Sequence, residues 1–153
     1  MSRPSKRDYY LNIAEVVAQR STCLRRKYGA VIVKDDKIVS TGYNGASRGE
    51  INCCDSGECL REKLNIPKGE RYELCKAVHA EMNAMLQAGR NDMQGAVLYI
   101  TGFEVDGSYA NPQPCALCSK MIKNTGITKV VGRCAGKERG IEEHAVNELN
   151  IGY

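Results

Sequence analysis

The residues of this chain best suited to chemistry are His79-Ala80-Glu81 and, well downstream, Pro114-Cys115-Ala116-Leu117-Cys118. One imidazole and two thiolates are the usual ligand set of a zinc ion that keeps its fourth position open. The carboxylate of Glu81 stands two residues from the imidazole, where it need not bind metal at all. A closed structural site has no use for that acid, whereas a site that activates water needs a proton carrier. His79, Cys115 and Cys118 are therefore expected to hold Zn2+, with Glu81 as the catalytic acid and base beside it. The competing reading is a sealed structural zinc with Glu81 as a helix-surface carboxylate. The coincidence of His, Glu and Pro-Cys-x-x-Cys in one chain weighs against it.

These side chains need elements to aim them. Pro114 suits the opening of a short helix. Cys115 and Cys118, at i and i+3 near its start, can direct both sulfurs at one ion, and the helix N-terminus favours their thiolates. A second helix is expected over 78–88, with Met82, Met85 and Leu86 as its apolar face and Gly89 as its stop, carrying His79 near its beginning. Upstream, Tyr10, Ile13, Ala14 and Val17 recur at helical spacing and predict a helix over 8–19. Apolar runs at 30–33 and 38–40 flank Lys34-Asp35-Asp36-Lys37 and predict a β-hairpin. Strands are expected over 96–100 and 127–131, and a last helix over 141–149 from Ile141, Ala145 and Leu149. The order αββαβαβα implies a mixed sheet with helices on both faces, and a right-handed parallel crossover around Cys115. The segment 42–76 shows no sustained period, so it needs an outside constraint or stays mobile.

A length of 153 residues suits one domain, 1–153, with a core of its own. Apolar residues make up 42% and charged residues 26%, ordinary globular values. A net charge of +4 is too small and too scattered to argue for nucleic acid. The short basic clusters Arg25-Arg26-Lys27 and Lys137-Glu138-Arg139 read as solvated surface. No stretch approaches a membrane span, and the first residues lead into no signal-peptide core, so a cytoplasmic location is expected. Eight cysteines in a reducing compartment argue for metal or reactivity before disulfides.

H-x-E…P-C-x-x-C is the signature of the zinc nucleobase deaminases. On those motifs, and on Ser21-Thr22-Cys23, Gly29-Ala30-Val31, Thr41-Gly42-Tyr43-Asn44-Gly45 and the strand after Gly126, the chain resembles the cytidine deaminase superfamily over nearly its whole length. The Thr41–Gly45 run, with a long Cys-containing insert before His79, resembles the deoxycytidylate (dCMP) branch more narrowly. The resemblance implies a three-layer α/β/α fold with a central mixed sheet of about five strands. It implies that Asn44 bonds the sugar hydroxyl and that the backbone of Ala80 meets the base edge. It also implies an allosteric nucleotide site near Gly42, Tyr43, Asn44 and Gly45, with dCTP activating and dTTP inhibiting, within a homohexamer. Without that context, Gly-Tyr-Asn-Gly is an ordinary turn. One departure stands out: residues 102–113 intervene where the family usually runs from strand to Pro-Cys, and this insert could reshape the pocket rim or reach a neighbouring subunit.

Five further cysteines precede His79. Family members often carry a second, non-catalytic zinc in this region, and Cys23 and Cys53 match those positions. Cys59 and Cys75 complete an expected four-thiolate set, leaving Cys54 spare; free, half-buried thiols are the alternative. Cys134 is expected to serve packing. A 5′-phosphate would need fixed donors, for which Arg26 is the first candidate and Lys120 and Lys123 are alternatives, while Arg90 suits an interface. The leading expectation is hydrolytic conversion of dCMP to dUMP and ammonia, feeding thymidylate synthesis. A deaminase of tRNA or single-stranded DNA is the second reading, disfavoured by 6% aromatics, no Trp and one Phe. A non-catalytic zinc or nucleotide-binding relative, such as a competence-associated one, is the third.

Overall fold

A computed structural model describes residues 2–134 and 140–152. Helix α1 (Lys6–Ala18) starts where Ser5 Oγ accepts the Asp8 N–H at 3.1 Å, an N-cap that satisfies one orphan donor. Strands β1 (Lys27–Lys34) and β2 (Lys37–Tyr43) form the expected hairpin. Asp35 and Asp36 at its tip take φ of 50° and 61°, the left-handed pair that a tight two-residue turn demands. Next come β3 (Gly45–Ala46), the single-turn helices α2 (Cys53–Ser56) and α3 (Leu60–Lys63), and β4 (Ala77–Val78), which pairs with β3. Helices α4 (Ala80–Gln87) and α5 (Arg90–Met93) lead into β5 (Val97–Phe103), α6 (Ala116–Lys123), β6 (Lys129–Arg133) and β7 (Ile141–Ala145).

The main sheet runs β2-β1-β5-β6-β7, and only β5 and β6, joined through α6, are parallel. Alternation along the strands builds two cores. Ala30, Ile32, Leu98, Ile100 and Val130 face α4, α5 and α6. Val31, Val33, Tyr99 and Val131 face Tyr10, Leu11 and Ala14 of α1. The result is the expected three layers around a mixed five-stranded sheet.

The expected helix over 141–149 is corrected: residues 141–145 form an edge strand antiparallel to β6, followed by a 3₁₀ turn at Val146–Glu148. The four-residue spacing misled, because Ala145 is exposed while Val146 and Leu149 are the residues that enter the core. Strand β6 needed a partner, and that pairing overrides the helical propensity of Glu142, Glu143 and Ala145. Leu86 is also corrected: it is 78% exposed, and α4 buries Ala80, Glu81, Ala84 and Met85 instead. The Gly42–Gly45 run is not a turn. Gly42 and Tyr43 end β2, and Gly45 begins β3. A Cβ on Gly42 would stand 2.3 Å from the Ala84 nitrogen, so glycine lets α4 lie directly on β2.

The insert is tied to both faces. Its start extends β5, Ala110 N–H donates to Gly102 O at 2.8 Å, and the Phe103 and Tyr109 rings stack. Tyr109 Oη donates to Glu15 of α1 at 2.7 Å, and the same carboxylate takes Nη1 of Arg133 at 2.7 Å. Arg133 is 1% exposed, and its Nη2 also reaches Asp8 at 3.1 Å and Asn12 at 3.0 Å. A charge buried so deeply needs such partners.

Candidate metal and catalytic centre

His79 caps the N-terminus of α4, and Cys115 caps that of α6. Both helices lie on the same face of the sheet, so the two caps converge. His79 Nδ1 lies 3.2 Å from Cys118 Sγ and 3.5 Å from Cys115 Sγ. Among the described residues, these three make the one group of His, Cys, Asp or Glu whose ligand atoms all lie within 4.8 Å of one another.

The donor chemistry fits zinc. Without a cation the two sulfurs share a proton unequally. The Cys118 thiol, backed by the His79 ring, draws the proton affinity of Cys115 down to about 4 despite its burial. Cys118 is pushed up, chiefly because it donates to Cys115 and then by burial. His79 is raised by its hydrogen bond to Cys115, against the opposing effect of burial. A dication seated among them would take the place of that proton and hold both sulfurs as thiolates.

Glu81 sits in the first turn of α4, 8% exposed, at the wall of a cavity of about 600 Å³ that also holds His79 and Cys115. Burial raises its proton affinity, partly offset by the neighbouring His79. A carboxyl so raised is the kind of group that can hold and pass on a proton.

The other expected site residues divide. Asn44, Ala80 and Arg26 all line the cavity. Asn44 is 7% exposed, its Oδ1 accepting from Tyr28 N–H at 2.8 Å and its Nδ2 donating to Arg26 O at 2.9 Å, so the backbone fixes the amide. Arg26 is not free either: its Nε donates to both Glu104 oxygens, at 3.0 and 3.1 Å, which leaves the terminal Nη edge for a ligand. Lys120 and Lys123 do not reach the cavity; both are exposed, and Lys123 donates to Asn147 O. Arg90 is exposed at the start of α5. Cys134 lies just beyond β6, its N–H donating to Gly140 O.

Cys23, Cys59 and Cys75 lie close enough to Cys53 to oppose its ionisation, and Cys23 and Cys59 do the same at Cys75. Cys53 is raised first by burial and then by the other three. No three of their sulfurs meet within 4.8 Å, and Cys54 is exposed beside Asp55.

Several cavity residues were not evident beforehand: Arg25, Tyr28, Arg61 and Tyr72; residues 111–113 also line it, part of the insert expected at the pocket rim. Arg25 Nη1 is buried with no hydrogen-bond partner among the described residues. The Tyr28 hydroxyl donates to Asn111 O at 2.9 Å and so fastens the insert to β1. The adjacency of Arg25 to Arg26 was the one available signal; the rest depend on contacts across long stretches of chain.

The model of the cytidine and deoxycytidylate deaminase zinc-binding region matches residues 4–134. A deoxycytidylate deaminase of Mycobacterium phage D29 is 43% identical over 136 residues, covering 86% of this chain and 96% of that protein. The deoxycytidylate deaminase of Schizosaccharomyces pombe is 37% identical over 130 residues, 84% of this chain but 37% of that longer protein. Among solved structures, the dCMP deaminase of cyanophage S-TIM5 in complex with dCMP and dUMP superposes with a TM-score of 0.59 at 29% identity, covering 87% of this chain and 84% of that one. With the motif residues converging at one cavity in this same architecture, the chain belongs to the cytidine and deoxycytidylate deaminase family of zinc-dependent hydrolases.

Proposed function

We propose that this chain deaminates dCMP to dUMP and ammonia, supplying dUMP for thymidylate synthesis. The observation that carries this reading is the buried Glu81 carboxyl beside the His79, Cys115 and Cys118 donors, within a cavity walled by Arg25, Arg26 and Arg61. Zinc held by those three donors would supply the polarisation that makes water nucleophilic near neutral pH. Glu81 takes the proton of the attacking water and delivers it to the ring nitrogen. With the water oxygen now bonded to the ring carbon, Glu81 moves the second proton from that hydroxyl to the exocyclic amino group, and the carbon–nitrogen bond breaks to release ammonia as the carbonyl forms. The backbone of Ala80, at the start of α4, faces the base edge. Asn44, held by the backbone of β1, presents its remaining N–H and lone pair to the sugar. The unshared Nη edge of Arg26 and the unpartnered Nη1 of Arg25 suit a 5′-phosphate, a bidentate geometry that lysine does not offer.

The test is ammonia release from dCMP, CMP, deoxycytidine, cytosine and tRNA. Turnover of dCMP above the others is expected. Arg26→Ala should raise KM for dCMP by about tenfold, with little change for deoxycytidine. Turnover of tRNA alone, or of nothing, would overturn the reading.

A second, structural zinc on Cys23, Cys53, Cys59 and Cys75 belongs to the same proposal. Three of the four lie in the poorly periodic segment, and the closeness of Cys23, Cys59 and Cys75 to Cys53 supports it. Metal analysis should find about two zinc ions per subunit, falling to about one in Cys53→Ala; about one in the unaltered protein would remove the second site. Activation by dCTP and inhibition by dTTP within a homohexamer complete the proposal. In support, Asn83 Nδ2 of α4 donates to Tyr43 O at 2.8 Å, so the Gly42–Gly45 run is tied to the helix bearing Glu81. Repeating the substrate panel with each triphosphate tests that regulation.

A further inference from the structure

Between Cys53 and Ala80 one residue is buried, and it is an arginine. Arg61 is 4% exposed, while every other position from 54 to 79 is half-buried or exposed. A guanidinium withdrawn from water must find fixed acceptors. Among the described residues no carboxylate pairs with it. Its partners are backbone: Nε donates to Glu70 O at 3.1 Å and Nη2 to Pro67 O at 2.8 Å. Its flat face covers the Tyr72 ring, 4.5 Å from the centroid.

Apart from the arginine, this backbone is held by short local turns such as Glu70 N–H to Pro67 O at 3.2 Å and Leu74 N–H to Arg71 O at 3.1 Å. Asn65, Gly69 and Arg71 all take left-handed φ, of 54°, 85° and 50°, which is strained for the two that are not glycine. No apolar side chain of this stretch is buried to compensate. Yet Lys68, Gly69, Arg71 and Tyr72 line the cavity, and the edge of Tyr72 meets the His79 ring at 5.4 Å and 88°.

We propose that Arg61 is a positioning residue, clamping the 67–72 segment into one wall of the cavity and, through Tyr72, setting the ring of His79. The clamp needs arginine: a planar fork can bond two carbonyls and stack on a ring at once, whereas an ammonium is a point charge. Its consequence for turnover rests on the deaminase reading, but the contact itself can be read without any turnover.

The experiment compares the zinc-loaded full chain with Arg61→Lys and Arg61→Met by three measurements. The first is hydrogen exchange, where peptides covering 64–76 should exchange at least about tenfold faster in both variants, with β5 and β6 unchanged. The second is NMR of the histidine rings. The chain has two histidines, so the His79 ring signals should move in both variants while those of His144 stay as an internal control. The third is kinetics: KM for dCMP should rise roughly tenfold with a smaller change in kcat. Unchanged exchange and ring signals would overturn the proposal, as would faster exchange spread evenly over the sheet. Recovery of the wild-type pattern by lysine would overturn the need for the fork. Should the Arg61 variants fail to fold, Tyr72→Leu keeps the clamp and removes the ring. Moved His79 signals with a still-protected 67–70 support the link, and unmoved signals overturn it. If the wild-type chain leaves dCMP untouched, the substrate reading fails while exchange and ring signals still decide the role of Arg61.

Discussion

Glu81→Ala is expected to lower kcat by on the order of 10³-fold or more while zinc stays bound. The three donors of the metal site come from His79, Cys115 and Cys118, so loss of this carboxyl removes none of them. It removes the group proposed to carry a proton from water to the base and then to the leaving amine. Binding of dCMP should persist, so a product or substrate complex remains measurable by calorimetry. The sign of the stability change follows from burial. Because burial raises the proton affinity of Glu81, its favourable contribution is full below the unfolded-state value, fades as pH rises to the folded-state value, and above that the ionised form carries its whole burial cost. Metal-free Glu81→Ala should therefore melt no lower than the metal-free wild type at pH 8. Zinc lost together with activity would show that the carboxylate is a ligand, and the assigned role would fall.

Cys118→Ala is expected to abolish both the metal and the activity. Cys118 is fully buried, and its sulfur is the nearer of the two to His79 Nδ1. A dication left with one imidazole and one thiolate loses most of its affinity, because the site then offers too few ligands for a tetrahedral ion. Ligand binding and folding are linked, so the wild type should lose thermal stability in the presence of a strong chelator. Cys118→Ala should already melt near the chelated wild type, and the part of the chelator response that belongs to this centre should vanish. Zinc analysis, melting with and without chelator, and ammonia release together check this. Retention of full zinc and activity would mean that the centre lies elsewhere.

The parts of the site that could be read beforehand are those whose chemistry is local in the chain. His79 and Glu81 lie two residues apart, and Cys115 and Cys118 three, so ligand type and spacing declared them before any fold was known. Their convergence further needed the two helices on one sheet face, which the strand order of the sheet decides. What escaped was set by contacts between distant segments. Arg26 meets Glu104 across 78 positions, and no local pattern predicts that half of its fork is occupied. Arg61 stands in a stretch with no period, where one buried cation replaces the apolar stripe on which pattern reading depends. That stretch was expected to need an outside constraint or stay mobile; the cysteines were assigned the task, and the proposed Arg61 clamp would share it. The misread 141–149 segment shows the other limit, since its helix-favouring residues were recruited by the open edge of β6.

The strut from Tyr109 through Glu15 to Arg133 links the insert that borders the cavity to the helix on the opposite side of the sheet. Residues 111–113 thus inherit their placement partly from a layer that never meets substrate. Efforts to broaden what this scaffold accepts should therefore sample α1 as well as the pocket lining, since remote substitutions there can retune the aperture while the reactive groups stay in place.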